Sequence, residues 1–280
     1  RAWPSQDLRA AIVGLIQRGR DALCSPRRSF LAKPGRVRCA RDGECHSRVL
    51  NAHPRRFQLD GWPSTVHDAG QTMNPGGKKR IGIMGGTFNP IHLGHLMLAQ
   101  SAYERYDLNK VLFIPCSQPC HKRAPRLLCG EHRLAMVEAA LADDARFEAS
   151  DLELRRGGVS YSIDTLRALH EELPGTDFFF IIGTDSLLEL PQWRQIKTLL
   201  ELCTFVTFYR PGLDNAALRP ESLDLPAPWP EKLLEHVHAG RQVQVSSSEI
   251  RHRVAEGLSI RYMVPHPVEI YISEHKLYVE

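Results

Sequence analysis

The sequence predicts an α/β protein, a parallel sheet flanked by helices, and three observations predict it. From residue 80 onward, short β-rich runs alternate with segments of helical periodicity, the order that produces strand–helix–strand crossovers. The run Asp177-Phe-Phe-Phe-Ile-Ile182 is apolar throughout after its first residue, as a strand covered on both faces must be. The residues with distinctive chemistry follow the apolar runs, where sheets of this kind bind ligands.

Strands are predicted at 80–84, 111–115, 177–182 and 203–209, and helices at 92–106, 131–141, 163–173 and 186–200. The first strand runs into Gly85-Gly86, where missing side chains let a phosphate approach the backbone. Pro90 suits the start of the first helix and Asn89 can cap its amides. Ser162 is placed to cap the third helix, and Ser246 with Glu249 reads as a capping box ahead of a further helix near the C-terminus.

The chain has 280 residues, 42% hydrophobic and 24% charged, as an ordinary globular protein has. It has no run of eighteen apolar residues, so no membrane span is expected. The net charge of +4 is unevenly spread: residues 1–72 hold 13 Lys+Arg against 6 Asp+Glu, leaving 23 against 26 in the remainder. The main body therefore lacks the basic surface of a nucleic-acid binder, and an anionic ligand there must be held by a few placed groups. Seven cysteines without regular spacing do not read as a disulfide framework, and a reducing cytoplasm is the natural setting. Residues 1–72 are rich in Arg, Pro, Gly and Ser and contain no Met. They are expected to be a disordered extension or upstream sequence ahead of a start at Met73, with a transit peptide as the alternative.

The stretch from Gly82 to His95, Gly-Ile-Met-Gly-Gly-Thr-Phe-Asn-Pro-Ile-His-Leu-Gly-His, is the most informative. His92 and His95 share one face of a helix, with Gly94 between them to leave room for a ligand. Two imidazoles beside a helix N-terminus make a polyanion site, since amide ends and ring N–H groups both donate to phosphate oxygens. Gly82, Gly85 and Gly86 do not give the spacing of a dinucleotide fingerprint, and no Gly-Lys-Ser/Thr phosphate loop occurs here. Two His at this spacing without a neighbouring Glu or third ligand are poor zinc ligands. The thiols Cys116, Cys120 and Cys129 with His121, and the group Cys39, Cys45 and His46, also lack standard zinc spacing.

The Gly-rich strand end followed by His92-Leu-Gly-His95 resembles the signature of the nucleotidyltransferase superfamily, which has a Rossmann-like fold. The likeness runs through residues 80–280 and is greatest to bacterial nicotinate-mononucleotide adenylyltransferases. It rests on Pro119-Cys-His-Lys122, Ser160-Tyr-Ser-Ile-Asp-Thr-Leu166, Gly183-Thr-Asp185, Trp193, Val245-Ser-Ser-Ser-Glu-Ile-Arg251 and a C-terminal helix over 266–278. Asn89 stands where many members have Asp, and Cys120 where they have Pro. The resemblance implies that His92, His95, Lys122 and Arg251 are catalytic. It implies that Gly85, Gly86, Thr87, Phe88, Gly183, Asp185, Ser247 and Ser248 bind ATP, and that Tyr161, Ser162 and Trp193 bind nicotinate mononucleotide. Mg²⁺ is expected to arrive on ATP rather than on protein side chains. A non-catalytic nucleotide sensor on the same fold is the alternative.

Overall fold

The computed structural model describes residues 77–120, 127–209, 218–240 and 243–279. The extension 1–72, Met73 and the Cys39, Cys45, His46 group lie outside them.

The first strand, β1 (Arg80–Gly86), leads through a loop into α1 (Leu93–Arg105) and then β2 (Lys110–Pro115). A two-residue strand β3 (Gln118–Pro119) precedes α2 (Gly130–Leu141), β4 (Phe147–Ala149) and α3 (Leu152–Arg156). Then come β5 (Val159–Ser160), α4 (Ser162–Glu172), β6 (Asp177–Gly183), α5 (Thr184–Glu189), α6 (Ile196–Leu202) and β7 (Thr204–Phe208). The last elements are α7 (Trp229–Glu235), β8 (Val237–His238), α8 (Ser247–Ala255) and α9 (His266–Glu274).

Six strands form one sheet in the order β4-β2-β1-β6-β7-β8, every neighbouring pair parallel. β3 and β5 form a separate parallel pair. Successive side chains of a strand face opposite sides of a sheet, and here the alternation sorts the core in two. Val111, Phe113, Phe179, Ile181, Val206 and Phe208 pack on one face with Ala99 of α1, Met136 of α2, Ile250 of α8 and Ile272 of α9. Ile81, Ile83, Leu112, Ile114, Phe178, Phe180, Ile182 and Phe205 pack on the other with Leu166 of α4, Leu187 of α5, Leu199 of α6 and Leu233 of α7. The apolar run of β6 is thus covered from both sides, as its sequence requires.

From β1 the chain passes to β2 on one side, and β6 lies on the other. The strand order reverses here, so the carboxyl ends of β1 and β6 open a crevice.

The structure corrects four expectations of local form. The helix predicted at 186–200 is two helices joined by a 3₁₀ turn, Leu190–Gln192. Pro191 has no N–H to continue the helix, Trp193 is extended, and Gln195 enters the left-handed region at φ 55. α1 is capped by His92, not Asn89. Tyr161 holds the extended cap position of α4, and Ser162 is the first helical residue. The C-terminal helix stops at Glu274, and the chain beyond turns back through left-handed Lys276 and Tyr278, which buries Leu277.

Gly82 is where the core of one sheet face packs against β1. A Cβ there would lie 2.8 Å from Leu108 Cδ1, 3.1 Å from Val111 Cγ2 and 3.2 Å from Ile181 Cδ1. Gly82→Ala is expected to destabilise the protein by about 1–3 kcal/mol through overpacking, read as a lower urea midpoint with an unchanged slope.

Candidate active site

A cleft of about 350 Å³ lies at the crevice between β1 and β6. Its walls come from the β1 end (Gly85, Gly86, Thr87, Asn89), the segment after β2 (Cys116, Pro119, Cys120), Glu153 of α3, Ser160 and Ser162, Phe180 of β6, Trp193, and Ser247, Ser248 and Arg251 of α8.

The β1–α1 loop is built for rigidity. Phe88 is left-handed at φ 45 yet only 1% exposed, its ring packed against His95 (5.1 Å, edge-on) and Phe113 (5.9 Å). Such a backbone costs about 1–3 kcal/mol and persists only where the surroundings hold it. His92 and His95 stack at 3.8 Å, and the His92 backbone N–H donates to His95 Nδ1 at 3.2 Å. A nitrogen that accepts carries no proton, so the neutral His95 ring bears its proton on Nε2 as a hydrogen-bond donor. Gly94 serves this stack rather than a ligand directly: a Cβ on it would lie 3.0 Å from the His92 ring.

Asn89, displaced from the predicted capping role, joins three segments. Its side-chain oxygen accepts from Tyr278 Oη at 2.8 Å, and its carbonyl accepts from Arg251 Nη1 at 2.8 Å. Burial pushes the Tyr278 phenol above its ordinary value, which keeps it a donor. The Asn89 side-chain oxygen also accepts from the Leu128 N–H at 3.5 Å.

The predicted second anion site is tied to this loop from α8. Ser246 caps α8 by accepting from the Glu249 N–H at 3.1 Å. Ser247 Oγ donates to the Pro90 carbonyl at 2.8 Å, and Arg251 Nη2 donates to Ser248 Oγ at 3.1 Å. A guanidinium has five N–H groups, so Arg251 anchored in this way still has donors for an anion. The helix N-terminus and the arginine together favour negative charge beside Gly85 and Gly86.

Part of the lining is aromatic. Trp193 stands edge-on to Phe180 at 5.8 Å and to Phe205 at 6.0 Å. Tyr161 is covered instead by Arg194, whose guanidinium lies 4.6 Å from its ring centroid.

Of the residues singled out in the sequence, Gly85, Gly86, Thr87, Ser162, Trp193, Ser247, Ser248 and Arg251 line the cleft. His92 and His95 sit at the start of α1, and Gly183 and Asp185 at the β6–α5 junction. Phe88 contributes a buried prop, so only its backbone can face a ligand. Lys122 and His121 lie outside the described residues. Cys116 and Cys120 both line the cleft, and burial pushes the Cys116 thiol up to about 11.

Two residues escaped the sequence reading. Glu153 is a buried carboxyl in the cleft wall. Arg133 is 1% exposed and donates to three main-chain carbonyls: Leu128 at 2.9 Å, Thr87 at 2.9 Å and Ser117 at 3.2 Å. A signal for Arg133 existed, because it falls on the same helical face as Met136, Val137 and Leu141. An arginine in an apolar stripe must find buried acceptors.

A cytidylyltransferase-like family model matches residues 83–253, which places the chain among the nucleotidyltransferases. The protein named "Probable nicotinate-nucleotide adenylyltransferase" from Geotalea uraniireducens (strain Rf4) is 44% identical over 214 residues, covering 71% of this chain and 98% of its own. Its namesake from Shouchella clausii (strain KSM-K16) is 45% identical over 200 residues, covering 71% and 97%. The chain belongs to the nicotinate-nucleotide adenylyltransferase family, a family of nucleotidyltransferase enzymes. The fold agrees with Plasmodium falciparum nicotinic acid mononucleotide adenylyltransferase solved with NaAD (TM-score 0.55, 19% identity, 72% of this chain and 98% of that one). It agrees likewise with the same enzyme solved with APC (TM-score 0.54, 18% identity, the same coverage).

Arg133→Met would strand three buried carbonyls, each worth about 1–3 kcal/mol when left without a donor. The variant is expected to lose about 3 kcal/mol or more in urea unfolding, and Arg133→Lys, which keeps a donor, distinctly less.

Proposed function

We propose that this chain transfers the adenylyl group of ATP to nicotinate mononucleotide, releasing pyrophosphate and forming nicotinate adenine dinucleotide. The observation that carries this reading is one cleft lined both by groups suited to an anion, Gly85, Gly86, Ser247, Ser248 and Arg251, and by aromatic and hydroxyl groups, Trp193, Phe180, Ser160 and Ser162. The names of the relatives, and the NaAD and APC of the Plasmodium enzyme, support the same substrates. We assign the activity to residues 73–280, because relatives matched over 96–98% of their own length align with 71–72% of this chain. Among the described residues no helix is long and apolar enough to cross a membrane, and we place the reaction in the cytoplasm.

The reaction is in-line attack by an oxygen of the acceptor's phosphate on the α-phosphorus of ATP. The new P–O bond forms as the bond to the β-phosphate bridging oxygen breaks, and the electron pair leaves with pyrophosphate. Transfer of this kind needs positioning and charge neutralisation more than covalent help. His95, with its proton on Nε2, and His92 donate to the α- and β-phosphates. Arg251, Ser247, Ser248 and Lys122 hold the leaving pyrophosphate, and the Gly85, Gly86, Thr87 and Phe88 backbone lies along the phosphates. Gly183 and Asp185 take the adenosine, with the carboxylate accepting from ribose hydroxyls. Tyr161, Ser162 and Trp193 frame the nicotinate ring. The described residues offer no cluster of three or more His, Cys, Asp or Glu suited to a metal. Mg²⁺ would arrive on the triphosphate, where it would supply charge neutralisation.

The full chain with ATP, Mg²⁺ and nicotinate mononucleotide should yield pyrophosphate and dinucleotide by chromatography, and residues 73–280 should do so at a similar rate. No product from folded protein that binds ATP would replace this reading with a nucleotide sensor. His95→Ala should lower kcat by about 10²–10³, the usual loss for one preorganised donor, with its circular dichroism retained. An unchanged rate would remove His95 from the chemistry.

A further inference from the structure

We propose that Glu153 is a specificity-determining residue of the acceptor end of the cleft: its carboxyl takes up a proton when the carboxylate-bearing nicotinate acceptor binds, and not when the amide acceptor does. This deepens the adenylyl-transfer reading and rests on it.

The placement comes first. Glu153 is 7% exposed, bonds to Ser160, and lines the same cleft as Ser162 and Trp193, to which we assign the pyridine ring. It is held firmly there. Glu153 Oε1 accepts from Thr165 Oγ1 at 2.5 Å, and Ser160 Oγ, which accepts from the Ser117 N–H at 2.9 Å, also bonds to it. Thr165 Oγ1 in turn receives Arg156 Nη2 at 3.3 Å. The mechanism makes no use of this carboxyl, yet a buried charge beside an anionic substrate cannot be neutral to its binding.

The groups facing Glu153 come from each element packed on it. Arg156 on its own helix and Arg133 on α2 favour its ionised form. Cys116 and Cys120, at the end of β2 and beyond, are thiols raised mainly by burial and so add no negative charge. Thr165 on α4 and Ser160 on β5 are neutral donors. Burial outweighs these and lifts the carboxyl above its ordinary value. The sign follows. An ionised acceptor carboxylate lifts it further, so the bound complex holds more protons than the free enzyme, and affinity for that acceptor falls as pH rises past the free-enzyme titration. The nicotinamide acceptor has the same phosphate but no carboxylate, so comparing the two cancels the titration of the phosphate.

The test is the ratio of KM for nicotinate mononucleotide to KM for nicotinamide mononucleotide, measured on the full chain from about pH 5 to about pH 8. We expect the ratio to rise about threefold or more with pH in the unsubstituted protein. It should stay flat in Glu153→Gln, whose amide keeps the size of the side chain and can still accept from Thr165. Calorimetry of nicotinate mononucleotide binding in two buffers of different ionisation enthalpy should show proton uptake that Glu153→Gln loses. A structural role alone would not move either reading. A flat ratio in the unsubstituted enzyme, or equal proton uptake in the variant, overturns the role of Glu153 while leaving adenylyl transfer intact. Absence of turnover and of binding with both acceptors overturns the two readings together.

Discussion

The cleft depends on one buried cation. Arg133 lies in α2, but its three hydrogen bonds reach the loop after β1, the segment after β2 and the residues just ahead of its own helix. None of these segments is regular structure, so each has carbonyls that no helix or strand satisfies. One guanidinium supplies donors to all three, in the fixed fork geometry that a lysine lacks. Its charge also has a direction to act in. The acceptors are neutral carbonyls, so the positive field is only partly spent within the protein and extends into the cleft where phosphates are expected.

From this fixed point the rest of the phosphate end follows. The β1–α1 loop held at Thr87 places Phe88 in its strained conformation, and Phe88 props His95 from behind. The same loop receives Ser247 and Arg251 from a helix more than 150 residues away in sequence, through the carbonyls of Pro90 and Asn89. Tyr278 then closes the arrangement from the C-terminal turn. The two motifs proposed to bind anions are therefore one construction: the carbonyls of the first are the anchors of the second.

This explains which parts could be read from the sequence. The central strands announced themselves because burial on both faces forces unbroken apolar runs, as in Asp177-Phe-Phe-Phe-Ile-Ile182. The Gly85-Gly86 strand end and the Ser246 cap were legible because each is a local device, settled by neighbours in the chain. The short strands β3, β5 and β8 carried no such signal, since two residues cannot establish a period. Asn89 was misread for the opposite reason. Its type fits a cap, but the competing partners, Tyr278 and Leu128, come from far along the chain and are invisible to local spacing. Nothing in Leu152-Glu-Leu-Arg-Arg156 marks Glu153 out, and only the packing of α4 and β5 over it makes it a buried group.

The state of the cleft's own nucleophilic groups bears on how the transfer proceeds. Ser247 Oγ is committed to the Pro90 carbonyl, and Ser160 Oγ lies between the Ser117 amide and Glu153. Burial raises the Cys116 and Cys120 thiols, which lowers the thiolate fraction that attack would need. These groups serve as struts and neutral walls, whereas a covalent route requires a nucleophile activated by a neighbouring base. Direct attack of one substrate on the other needs no such group, but it leaves alignment of two bound molecules as the main source of rate. A site that works by alignment has little tolerance for movement. Arg133, Phe88 and Tyr278 are then as much part of the chemistry as the residues we propose to touch phosphate, because they decide where those residues stand.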